Sequence, residues 1–257
     1  MTHPWFSATP RPRVLAHRGF VPPDAEGVTE NSFAALAAAH AAGAVYVESD
    51  CHLTADGEVV LFHDADLTRV IGDQRHIADV RARELEDLMS TRGGLITLPQ
   101  ALTAFPTVRF NLDMKADAVA APASRIVAKH ADRVLVTSFD DGRRIAALDA
   151  ARAAGGTPAT SPGTKTMARV VAAVATGSRR LVGAAVRGLD ALQVPERHKG
   201  VRVVSRRLID AVHRHGVEVH VWTINEPDDM SRLLDLGVDG LVTDRCDLAL
   251  AVVASRS

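Results

Sequence analysis

Short apolar runs alternate with segments of helical periodicity along most of the chain, the pattern of successive parallel βα units. Strand-like runs lie near residues 14, 47, 110, 135, 159, 192, 220 and 241. Eight such runs predict an α/β protein, a (β/α)8 barrel of the TIM type. Helical spacing is expected over residues 30–42, where Phe33, Leu36 and Ala37 share a face, and over 99–105, 118–130, 141–154 and 167–176. Further helices are expected over 206–215, with Leu208, Ile209 and Val212 on one side, and over 230–236 and 247–253. Residues 157–163 make the weakest strand, because they carry two prolines and few branched side chains. A doubly wound open sheet competes with the barrel, but it calls for a glycine-rich phosphate turn after the first strand. Here H-R-G-F runs on into prolines instead.

Residues 65–98 interrupt the alternation with a polar, irregular stretch holding one short helix, 82–89. That is too long for an ordinary βα connection, so it is either a lid-like insertion after the second strand region or a disordered excursion. Nothing else suggests a boundary, and residues 1–257 read as a single barrel domain.

The polar positions within the strands carry the chemistry. Successive side chains of a strand alternate between faces, so over residues 45–53 Glu48, Asp50 and His52 point one way and Val47, Ser49 and Cys51 the other. Two carboxylates on one inward face repel by about 4 kcal/mol at ~4 Å and an effective dielectric near 20. A bound divalent cation removes that repulsion. After a turn at Asp56-Gly57, an apolar run over 59–62 delivers His63 and Asp64 at its end, and His17 likewise ends the run 14–16. The stretch 108–115, V-R-F-N-L-D-M-K, sets Asn111, Asp113 and Lys115 on one face and Leu112 and Met114 on the other. Inside a barrel those polar groups point into the lumen near its mouth. Each signal has a plain alternative: a solvated strand face, a structural strand-end histidine, an acid and a lysine paired for burial. Together they suit metal-assisted phosphoryl chemistry, with a metal on anionic oxygen and imidazoles moving protons.

Composition narrows the partners. The formal net charge of -1 provides no global field for nucleic acid or an anionic membrane. A local basic bias, Arg179, Arg180, Arg187, Arg197, Lys199, Arg202, Arg206 and Arg207, reads as a solvated outer face, with contact to anionic head groups as the alternative. Cys51 and Cys246 have no metal-site or redox spacing and fit a reducing compartment. The polar, proline-rich start has no signal-peptide core, and no apolar run reaches membrane-span length. A cytoplasmic protein is expected, of open oligomeric state.

Five motifs, H-R-G (His17–Gly19), E-N-S (Glu30–Ser32), G-A-x-Y-V-E-x-D (Gly43–Asp50), T-x-D-G (Thr54–Gly57) and H-D (His63, Asp64), follow one another in an order that resembles the glycerophosphodiester phosphodiesterase family. The resemblance implies hydrolysis of a glycerophosphodiester to glycerol 3-phosphate and an alcohol, with His17 and His63 sharing general acid and base roles. It implies one divalent cation, Mg²⁺ or Ca²⁺, on Glu48, Asp50 and Asp113, although the family usually has Glu where this chain has Asp113. Arg18 and Lys115 would neutralise phosphate oxygens. S-F-D (Ser138–Asp140) ends the strand near 135 as in family members, and Pro195-Glu196 falls where they often line the substrate pocket. Trp222, in the W-T-x-N motif, would meet glycerol or the leaving group, and the stretch 65–98 would pack beside the site. A sphingomyelinase D-like phospholipase D, whose third ligand is an Asp, is the rival enzyme. Such enzymes are typically secreted and disulfide-bonded, and neither sign is present. A non-catalytic phosphodiester-binding barrel is the rival of another class.

Overall fold

Runs such as V-L-V-T and G-L-V-T become strands because stiff branched side chains pack well on a pleated surface. The computed structural model describes residues 2–7 and 10–256, with strands β1 (Arg13–His17), β2 (Tyr46–Leu53), β3 (Val59–Leu61), β4 (Arg109–Met114), β5 (Val134–Thr137), β6 (Ala159–Thr160), β7 (Ala191–Pro195), β8 (Arg197–His198), β9 (Val201–Arg202), β10 (Glu218–Trp222) and β11 (Gly240–Thr243). Eight of these, the eight expected, run parallel in the order β6-β5-β4-β2-β1-β11-β10-β7. β3 returns antiparallel on β2, and β8 and β9 form a separate hairpin.

The barrel is nearly closed. Its seam lies between β6 and β7, where the weak strand is only two residues long. Side chains and loop amides bridge it: Asp190 N–H donates to Thr160 O at 3.0 Å, the Asp190 carboxylate accepts from Thr160 N–H at 2.9 Å, and Ser161 donates to Gln193 at 3.0 Å.

Helices α1 (Phe33–Ala41), α2 (Thr68–Ile71), α3 (Ala82–Met89), α4 (Leu98–Ala104), α5 (Asp117–Val127), α6 (Asp141–Ala153), α7 (Thr164–Thr176), α8 (Arg179–Ala185), α9 (Arg206–His213), α10 (Pro227–Leu236) and α11 (Cys246–Ala254) complete the fold. Most follow the barrel strands in sequence, and the main core lies where they meet the sheet, through Leu36, Val47, Leu102, Leu112, Met114 and Val119 among others. α2, α8 and the exposed β8–β9 hairpin go beyond the sequence reading. The residues of the basic bias, from Arg179 to Arg207, are exposed. Among the described residues no helix is long and apolar enough to cross a membrane.

The N-terminal stretch is not the plain polar lead that its prolines suggest. A 3-10 turn, Pro4–Ser7, places Trp5 and Phe6 in a buried cluster with Leu15, Tyr46, Leu135, Ala159, Ala191 and Val242, residues drawn from six barrel strands. Trp5 donates through its indole N–H to Phe110 O at 2.9 Å, satisfying the one polar group of a fully buried side chain.

A charged group sits at this end of the barrel as well. Arg13 forks onto Glu218 at 2.8 and 2.9 Å and reaches Tyr46 at 2.9 Å, while His220 meets Glu218 at 3.1 Å. Burial alone would push the Glu218 carboxyl up, but Arg13 and His220 outweigh it and hold it at about 2. A carboxyl moved from 4.5 to about 2 stabilises the fold by on the order of 3 kcal/mol at neutral pH. Its folded value is depressed, so this contribution is present above the unfolded value and lost as pH falls through about 2. Glu218→Gln should therefore be less stable than the parent at pH 7, with the gap closing on acidification from about pH 4.5 to 2. Denaturant unfolding at several pH values checks this, and a gap that does not change with pH counts against it.

Candidate active site

Strand register brings the sequence-predicted residues together. In β1 and β2, His17 lies opposite Glu48; in β2 and β4, Glu48 lies opposite Asn111 and Asp50 opposite Asp113. Because β2 side chains alternate, Glu48 and Asp50 occupy one face, and the neighbouring strands add His17 on one side and Asp113 on the other. The Lys115 ammonium lies 2.9 Å from Asp50 and 2.8 Å from Asp113, closing the acidic group with a cation.

The turn after β1 explains H-R-G. Gly19 has φ +85°, and a Cβ there would come within 2.7 Å of the Ala35 backbone in α1. Arg18, with a side chain and φ 57°, stays in the left-handed region, where its N–H donates to Glu48 O at 2.8 Å. Its guanidinium then reaches Glu30 at 2.8 Å and Asp50 at 3.3 Å. E-N-S is explained in turn. The expected helix over 30–42 begins only at Phe33, capped by Ser32, because Asn31 at φ 56° turns inward. Asn31 donates to Asp50 at 3.0 Å and accepts from Ser49 at 2.5 Å.

Both histidines are oriented by carboxylates. His17 Nδ1 lies 2.7 Å from Asp244 and His63 Nδ1 lies 2.6 Å from Asp64. An ionised carboxylate only accepts, so each Nδ1 carries the proton and each Nε2 is left for other work. His17 Nε2 stands 3.8 Å from Glu48. Asp244 is itself held by Asn225 at 2.8 Å. The remaining histidine, His52, donates to His63 O at 3.2 Å.

Electrostatics follow from burial and these partners. Burial opposes protonation of His17, but the Asp244 hydrogen bond and the Glu48 charge outweigh it and raise the imidazole above its ordinary value. Burial, reinforced by the Asp50 charge, pushes the Glu48 carboxyl up. Burial also raises Asp113, against the pull of Lys115. Asp50 is held low in spite of its burial by Lys115 and Arg18. Burial lowers the His52 imidazole below its ordinary value.

A series of polar contacts runs between the two imidazoles through His17, Glu48, Arg18, Glu30, Arg69, Asp64 and His63, open at its first step, where His17 Nε2 is 3.8 Å from Glu48. Its links include Arg18 N–H to the Glu48 carboxylate at 3.2 Å and Arg69 to both Glu30 and Asp64 at 2.6 Å. An open cavity of about 530 Å³ is lined by His52, His63, Asp64, Arg69 and Lys115 with Ala65, Asp66 and Thr68, a size suited to a small ligand. Of the sequence-predicted site residues only His63 and Lys115 line it; His17, Arg18, Glu48, Asp50 and Asp113 do not, and neither does Trp222. Trp222 stands edge-on to the exposed Phe139, 5.8 Å between centroids, and Phe139 in turn lies 5.7 Å from the Lys115 ammonium.

The model of the glycerophosphoryl diester phosphodiesterase family matches residues 17–248. The chain belongs to that family. It is 36% identical over 250 residues to the Mycobacterium tuberculosis protein named "Probable glycerophosphodiester phosphodiesterase 2", an alignment covering 94% of this chain and 90% of the relative. Among solved structures it resembles a glycerophosphodiester phosphodiesterase from Thermotoga maritima at 27% identity and TM-score 0.67, covering 94% and 97% of the two chains. The fold is shared, at 20% identity and TM-score 0.72, with an Oleispira antarctica phosphodiesterase solved in complex with its product sn-glycerol-3-phosphate; the match covers 95% and 97%.

Within this family fold Asp244 and Arg69 escape the sequence reading, and Glu30, Asn31, Asp64 and Asn225 enter it only as members of motifs, without a role. Asp244 follows β11 as His17 ends β1, and β1 pairs with β11, Ala16 opposite Thr243. An acid just past the strand neighbouring a strand-end histidine was a signal in the sequence. Arg69, on a one-turn helix inside the irregular stretch, had none.

Proposed function

We propose that the chain hydrolyses glycerophosphodiesters to glycerol 3-phosphate and an alcohol. The observation that carries this reading is the series of polar contacts from His17 to His63, with each Nδ1 held by a carboxylate and each Nε2 left to act, in a member of this family. Arg18 and Lys115 neutralise the non-bridging phosphate oxygens, and the accumulating negative charge of the transition state is met by the same cations. One histidine takes a proton from the attacking hydroxyl as the new O–P bond forms. The other returns a proton to the departing alcohol oxygen as its P–O bond breaks. One water is consumed overall. Trp222 and Phe139 form an apolar side of the mouth for glycerol or the departing alcohol.

One divalent ion, Mg²⁺ or Ca²⁺, belongs to the proposal, with Glu48, Asp50 and Asp113 as its holders. The donor chemistry fits: these are hard oxygens on facing positions of β2 and β4, and Asp113 Oδ1 is buried without a hydrogen-bond partner. Burial and the Asp50 charge raise Glu48 toward its protonated form, and a divalent ion among these oxygens would take the place of that proton. Among the described residues no three acidic, histidine or cysteine side chains already stand grouped as a cage, and Lys115 bonds two of the three acids. When bound, the ion would polarise the phosphate oxygens as a Lewis acid. The chain itself holds the substrate and moves the protons.

Release of glycerol 3-phosphate from glycerophosphocholine tests the activity. Prior chelation should abolish it and added Mg²⁺ or Ca²⁺ restore it. Undiminished turnover after exhaustive chelation would remove the metal from the mechanism, and no turnover with any added divalent ion would remove the activity.

A further inference from the structure

The geometry points to Arg69 as a positioning residue that ties the irregular stretch to both halves of the active site. It rests on the reading that His63 moves a proton. Arg69 Nε donates to Asp64 Oδ2 at 2.6 Å, and the other Asp64 oxygen accepts from His63 at 2.6 Å. Arg69 Nη2 donates to Glu30 at 2.6 Å, the same oxygen that accepts from Arg18 at 2.8 Å. One planar guanidinium therefore orients the carboxylate behind the His63 imidazole and the carboxylate that aims Arg18. A fork suits this because its donors have fixed directions, whereas a lysine offers a single point charge.

The surroundings of Arg69 are built to hold it. Asp66 accepts from Thr68 N–H at 2.9 Å to start α2, and Gly72 ends it at φ 83°. Leu67, immediately before α2, is fully buried among Phe62, Ile77, Val80, Leu85 and Met89, a cluster separate from the main core. Arg92 pins the far side of α2 through Val70 O at 3.1 Å. Residues between β3 and α4 thus form a small packed unit whose one side chain bonded to both Asp64 and Glu30 is Arg69. Substitution of such outer partners typically costs about 10- to 100-fold in activity.

Steady-state kinetics of Arg69→Ala, Arg69→Lys, Asp64→Asn and the Arg69→Ala/Asp64→Asn double variant, on glycerophosphocholine at saturating divalent ion, test the inference. Arg69→Ala is expected to lower kcat about tenfold or more with KM little changed. The double variant should lose less than the product of the two single losses, since both substitutions break the Arg69–Asp64 linkage, whereas the Arg69–Glu30 linkage is lost only with Arg69. Arg69→Lys should recover part of kcat. Thermal midpoints taken alongside identify a folding defect, and Arg69→Lys keeps the test open if the alanine variant is unstable. A rise in KM with unchanged kcat would make Arg69 a substrate contact and overturn the positioning role. Multiplicative losses in the double variant would overturn it too. Wild-type kcat in Arg69→Ala would sink the Arg69 inference alone, while near-normal kcat in His63→Ala, measured alongside, would sink the His63 reading beneath it.

Discussion

Replacing His17 or His63 with alanine should lower kcat for glycerophosphodiester hydrolysis by about 10²- to 10⁴-fold, the usual contribution of a positioned general acid or base. The two imidazoles occupy equivalent chemical settings, Nδ1 against a carboxylate and Nε2 presented, so removal of either leaves one proton transfer to solvent. Neither ring is part of the buried core, and both variants should keep the parent's thermal midpoint closely. A variant with an activated aryl leaving group as substrate separates the roles: the histidine that protonates the alcohol matters less when the leaving group needs no proton. The histidine that activates the nucleophile matters equally for both substrates. Near-normal turnover of glycerophosphocholine by either alanine variant would end the assignment.

The second large effect is on stability. Lys115→Met should destabilise the metal-free protein by about 3 kcal/mol at neutral pH, because it leaves buried acids without their shared cation. Asp50 keeps Arg18 and Asn31, but Asp113 has lost its ammonium partner and already has one oxygen without a hydrogen bond. Asp113 should therefore dominate the loss. Two conditions ought to narrow the gap between variant and parent in denaturant unfolding. Added Mg²⁺ or Ca²⁺ supplies positive charge to the same oxygens, and a lower pH protonates Asp113, whose folded value burial raises. An acid that is raised on folding opposes folding above its unfolded value and ceases to do so below it, which sets the sign. A variant as stable as the parent without metal, and unmoved by adding it, would show that these carboxylates are not held together by charge.

Much of this was legible along the chain. β2 could be read from V-Y-V-E-S-D-C-H-L because strand alternation is local, and the same rule put Asp113 and Lys115 on one face of β4. The weak strand over 157–163 was weak in fact, shortened to Ala159–Thr160 and bridged by Asp190. α1 starts three residues later than the spacing over 30–42 predicts, because Asn31 turns inward toward Asp50 and Ser32 caps the helix at Phe33. The buried Trp5 was hidden by its polar, proline-rich neighbours, since its partners at Tyr46 and Phe110 are far along the chain.

The sequence by itself determined the order of the strands, the side of each on which acids, lysine and histidines lie, and the family those motifs mark. These depend on the two-residue repeat of a strand, the 3.6-residue repeat of a helix and residues a few positions apart. Only the tertiary structure decided which side chain orients which. His17 with Asp244, Asp244 with Asn225, Arg69 with Glu30 and Lys115 with Asp50 are contacts between distant segments. His17 meets Asp244 because the nearly closed sheet brings β11 beside β1, and Lys115 meets Asp50 because β4 lies beside β2, pairings that no local pattern encodes.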